Sequence, residues 1–93
     1  MKKYSTENLT KVDSYIEEYF KDSDKLNQEF LVNEISTETL KTIFVHNDND
    51  EDLYLPYKID LAISIALNSK LANPVIFDFQ NFEYFLQRYG EYK

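Results

Sequence analysis

The polar cluster Lys21-Asp22-Ser23-Asp24-Lys25 constrains this chain most, because strand-forming residues crowd both sides of it. Such a run of charged and turn-forming residues interrupts the apolar pattern and reverses the chain. Before it, Val12, Tyr15, Ile16, Tyr19 and Phe20 fall at helical spacing, yet Tyr15 to Phe20 is rich in strand formers. After it, Leu26 to Val32 reads as a strand with Leu26, Gln28, Phe30 and Val32 on one face. Turn and second strand together favour a β-hairpin. Residues 1–11 read as a loose arm or lead-in to a single domain spanning residues 1–93.

Two helices are expected next. Ser36 is a good N-cap, Glu38 complements the helix dipole, and Ile35 can staple to Leu40. Leu40, Ile43 and Phe44 supply the buried stripe, and His46 to Asp52 ends it in a loop. Pro56 holds Leu55 away from helical geometry, so Leu53 to Ile59 is extended. Asp60 caps a second helix that runs to about Ala72 and stops at Asn73-Pro74. Ile59, Ile63, Ala66 and Leu67 form its apolar face, while Leu61 and Ile65 project from the other side. That second side is either a homodimer interface or a surface covered by the C-terminal segment. Alternation at Val75, Phe77 and Phe79, then at Phe82, Tyr84 and Leu86, reads as strand, with a helix over Phe82 to Tyr89 as the other reading.

The chain has 93 residues, too few for a two-lobed enzyme, and they can bury only about 60–65% of the unfolded surface. It carries 17 Asp and Glu against 10 Lys and Arg, a formal net charge of −7. Such a surface repels nucleic acid and anionic lipid and favours a cationic partner, although acidity also serves solubility alone. The densest acid is Asp48, Asp50, Glu51 and Asp52, flanked by Tyr54 and Tyr57. No apolar run reaches the ~20 residues of a membrane span. No apolar stretch follows Met1-Lys2-Lys3, so no secretory signal is expected. The absence of cysteine fits a reducing cytoplasm.

Catalytic apparatus is sparse. His46 is the one histidine, Gly90 the one glycine, and there is no cysteine, which leaves triads, zinc sites and phosphate loops without their parts. Asp48, Asp50 and Asp52 match the first three ligand positions of an EF-hand. Leu53 then stands at the turn glycine and Ile59 at the bidentate glutamate, so a dedicated calcium site is not expected. The expectation is a non-enzyme with no catalytic residue, metal or cofactor.

Three stretches carry a family resemblance. Glu17-Glu18-Tyr19-Phe20-Lys21-Asp22-Ser23-Asp24-Lys25-Leu26 resembles the first hairpin of a family of small bacterial proteins of unknown function. Asp52-Leu53-Tyr54-Leu55-Pro56-Tyr57-Lys58-Ile59 is similar to its Leu-Tyr-x-x-Tyr-x-Ile/Val stretch. Phe77-Asp78-Phe79-Gln80-Asn81-Phe82-Glu83-Tyr84-Phe85-Leu86 resembles its aromatic C-terminal signature. The resemblance covers about Tyr15 to Tyr89 and departs from the family in the arm before Val12. It implies an immunity-like partner from polymorphic-toxin or contact-dependent growth-inhibition systems. The fold it implies is α+β, a small antiparallel sheet of the hairpin and a C-terminal strand, packed by two or more helices.

The expected function is therefore an immunity protein that binds a cognate toxin, a basic nuclease domain, and occludes its active site. Asp48, Asp50, Glu51, Asp52, Tyr54 and Tyr57 are the expected contact residues, acids around aromatic anchors. The bland alternative places the tyrosines against the second helix and leaves the acids as a solvated loop. The Leu61/Ile65 face and the Glu17/Glu18 strand are the next candidate surfaces. Other readings are a phage-type nucleic-acid mimic that inhibits a nuclease, a small non-catalytic interaction module, or a small enzyme or metal-binding protein.

Overall fold

The computed structural model describes residues 9–45, 49–50 and 53–92. The polar cluster does reverse the chain. Strand β1, Leu9–Phe20, is followed by β2, Leu26–Leu31, paired antiparallel. Asp24 takes φ 57 in the turn, the left-handed region that Asp and Asn tolerate better than most residues. Its N–H donates to the Phe20 carbonyl at 2.9 Å, and the Phe20 N–H reaches Lys25 at 2.9 Å. The strand reading of Val12 to Phe20 holds, and the expected arm is corrected at its end. Residues 9–11 already belong to β1, because Leu9 and Lys11 pair with Tyr92 and Glu91.

Helix α1, Thr37–Ile43, begins at Ser36, whose hydroxyl accepts from the Thr39 N–H at 3.2 Å. It places Leu40 in the core with Phe44 just beyond it. Strand β3, Tyr57–Lys58, follows the Pro56 stretch. Helix α2, Leu61–Asn68, starts at Asp60, which accepts from the Ile63 N–H at 2.8 Å. This helix stops four residues short of the expected Ala72. The Asn68 side chain donates to the Val75 carbonyl at 2.8 Å and accepts from its N–H at 2.9 Å, turning the following loop back on the helix. The chain meanwhile tightens into i→i+3 bonds from Lys70 to Leu67 and from Leu71 to Asn68.

Strand β4, Phe82–Tyr92, resolves the C-terminal ambiguity in favour of strand. Val75 to Phe79 is not part of the sheet. Phe77 and Phe79 instead stack with ring centroids 5.5 Å apart, and both stand edge-on to Tyr84, at 4.7 and 5.4 Å.

The sheet order is β2-β1-β4-β3, antiparallel throughout. Directly opposed residues of an antiparallel pair share a face. Ser14, Ile16, Glu18 and Phe20 oppose Arg88, Leu86, Tyr84 and Phe82. Ile16, Tyr84 and Leu86 are wholly buried with Leu40 of α1, Leu67 of α2, and Leu53 and Ile59 from the connections. Each such side chain contributes roughly 1.5–3 kcal/mol. This is an α+β fold with both helices on one face of a four-stranded sheet.

Candidate functional site

Neither of the two described helices packs on the opposite face of the sheet. On β1 it presents Asp13, Tyr15, Glu17 and Tyr19, and these oppose Tyr89, Gln87, Phe85 and Glu83 of β4. Four aromatic rings therefore stand in two strands, arranged as two diagonal edge-to-face pairs. Tyr15 meets Tyr89 with centroids 5.9 Å apart, and Tyr19 meets Phe85 at 5.8 Å. Tyr89 is half exposed and the other three are partly buried.

Glu17 lies between the two pairs. Its carboxylate accepts from the Tyr19 hydroxyl at 2.7 Å and the Tyr89 hydroxyl at 2.8 Å, and the residue is 4% exposed. The hydrogen bond to Glu17, with burial, pushes the Tyr19 phenol from 10.0 up to about 12. Burial, then the bond to Glu17, raises Tyr89 as well. Glu17 also opposes Glu29 of β2 directly across the ladder. Like charges so placed destabilise a sheet. This face thus combines aromatic rings with the carboxylates of Asp13, Glu17 and Glu83.

Glu18 points to the covered side. It accepts from the Tyr84 hydroxyl at 2.6 Å, Asn27 at 2.7 Å and Gln28 at 2.9 Å, and is 3% exposed. Burial, then the bond to Glu18, moves the Tyr84 phenol from 10.0 up to about 12.

The acidic loop singled out in the sequence is divided by the structure. Asp48, Glu51 and Asp52 lie outside the described residues. Asp50 is 8% exposed, and its carboxylate accepts from the Tyr54 N–H at 2.7 Å, the Leu55 N–H at 2.9 Å and the Tyr57 hydroxyl at 2.6 Å. It ties the loop to β3 and holds Leu53, wholly buried at φ 60, in place. Tyr57 lies beside Phe44, with ring centroids 6.0 Å apart. Tyr54 lies under the Arg88 guanidinium, 5.7 Å from its ring centre, and its carbonyl accepts from Gln87. The tyrosines thus pack against Phe44 and Arg88.

Leu61 and Ile65 are 66% and 63% exposed, so the C-terminal segment does not cover that side of α2. Among the described residues, no group of three or more His, Asp or Glu is placed to hold a metal ion. No helix among them is long and apolar enough to cross a membrane.

Tyr15, Tyr19, Phe85 and Tyr89 were not among the expected contact residues. Their signal is the two-residue spacing Tyr15-Glu17-Tyr19 against Phe85-Gln87-Tyr89, which becomes meaningful only once β1 and β4 are known to be neighbours.

The described residues form a small α+β domain, a four-stranded antiparallel sheet with two helices. The chain belongs to a family described as a domain of unknown function (DUF7683), whose pattern matches residues 13–87. No curated protein and no solved structure matches it.

Proposed function

We propose that the protein is an immunity-type inhibitor that neutralises a cognate bacterial toxin domain, a basic nuclease, by covering its active-site groove with the open face of the sheet. The observation that carries this reading is the face itself. It brings Tyr15, Tyr19, Phe85 and Tyr89 together around Glu17, and it keeps Glu17 opposite Glu29 against the interest of sheet stability. Rigid aromatic anchors supply most of the energy in protein interfaces, and surrounding charge sets rate and specificity. A net charge of −7 extends the same preference over the molecule. The partner class comes from the resemblance of the hairpin and aromatic tail. Inhibition of this kind needs no chemistry, only occlusion of a groove shaped for phosphates.

The test is co-expression with the toxin encoded beside it. Cells survive, the two proteins co-purify, and the double variant Tyr15→Ser/Tyr89→Ser loses both effects while keeping its thermal transition. If the wild-type chain neither protects nor co-purifies, the reading falls. A phage-type nucleic-acid mimic differs in outcome, because it also inhibits unrelated nucleases.

A further inference from the structure

Beside Glu17 the open face deepens into a recess of about 320 Å³, bounded by β1, β4, the β1–β2 turn and Pro56. Its volume lies at the low end of the ~300–1,000 Å³ usual for ligand pockets, which suits one side chain better than an extended molecule. Tyr19 and Phe85 line it with aromatic rings, and Glu17, Asp24 and Glu83 line it with three acidic residues. Among the described residues, the Lys58 ammonium stands 3.5 Å from Glu83. The Lys58 side chain is 66% exposed, so that pair is weak and readily displaced.

We infer that this recess receives an arginine side chain presented by the partner's basic surface. A guanidinium can lie against the Tyr19 and Phe85 rings while its in-plane N–H groups donate to the surrounding carboxylates, a combination that a compact ammonium does not match. Glu17 retains acceptor capacity for it. A carboxylate offers about four lone-pair sites, and the two phenols engage one on each oxygen. A cation seated here also offsets the repulsion between Glu17 and Glu29. This assignment rests on the binding role proposed for the same face, and it names the chemistry of the anchor.

The experiment titrates the intact protein with L-arginine amide and follows the Tyr19 and Phe85 ring resonances by NMR. Citrulline amide, similar in shape and with the same α-amino group but an uncharged side chain, is the control. The variant Asp24→Asn/Glu83→Gln removes two of the carboxylates, and Asn suits the left-handed backbone at position 24. Saturable shifts with arginine amide, none with citrulline amide, and binding about tenfold weaker in the variant are expected. Equal shifts with citrulline amide, an unaffected variant, or no saturable shift with arginine amide would overturn the assignment. The probe needs no toxin, so the two readings fail separately. Arginine binding without protection of cells defeats the immunity role alone, and protection without arginine binding defeats the pocket alone.

Discussion

Glu17 and Glu18 are neighbours in sequence with opposite duties. Glu18 faces the core and gathers donors from Tyr84, Asn27 and Gln28, while Glu17 faces outward and gathers the phenols of Tyr19 and Tyr89. Tyr84 links two segments, since its hydroxyl donates to Glu18 and accepts from the Asp78 N–H at 2.9 Å. Tyr84→Phe leaves both groups short of a partner, so it should lower stability by about 2 kcal/mol and Tm by roughly 10 °C, read from a thermal melt. The tyrosines also fix the alkaline limit of the fold. Tyr19 and Tyr84 are raised from 10.0 to about 12, so the folded state prefers the neutral phenol. The stability this adds is complete below about pH 10 and is lost as pH rises through about 12. A phenolate absorbance titration should show the Tyr19, Tyr84 and Tyr89 phenols ionising above the ordinary tyrosine value of 10.0, with unfolding accompanying them.

At the scale of elements, Asp50 serves as a clasp for the Leu53–Ile59 stretch. Asp50→Ala removes the acceptor of two backbone N–H groups and one phenol, and should cost about 2 kcal/mol or more. Amide exchange at Ile59, whose N–H bonds the Tyr84 carbonyl, should accelerate. Association with the partner should keep its rate if the open face is the interface, and surface plasmon resonance would check this. The hairpin, both N-caps and the C-terminal strand were legible because each is a local signal: a polar turn, Ser36 or Asp60 before an apolar stripe, alternation in Phe82 to Leu86. The end of α2 was not, since Asn68 reaches across the loop to Val75, and Asn73-Pro74 is the louder stop signal. The inward turn of Asp50 was not legible in the acid cluster either, because charge density along the chain does not report which carboxylates are buried.

The whole molecule depends on β4, which lies between β1 and β3 and supplies Tyr84 and Leu86 to the core and Phe85 and Tyr89 to the open face. Deleting residues 82–93 removes the neighbour of both strands. The truncated chain should lose its thermal transition and the dispersion of its amide NMR spectrum, whereas a short edge strand could be lost with less damage.

That position of β4 also bears on how the protein comes into being. The bond between Tyr84 and Glu18 spans 66 residues, and the longest ladder in the sheet, β1 with β4, closes a loop of similar size. Pairings so distant are slow to form, because the entropy of loop closure must be met before the contacts reward it. During synthesis the β1–β2 hairpin emerges first and waits with one long edge of β1 unpaired until β4 leaves the ribosome. The aromatic and acidic residues of β1 are thus exposed early, and their carboxylates then act as gatekeepers, keeping nascent chains apart through the interval before the sheet closes.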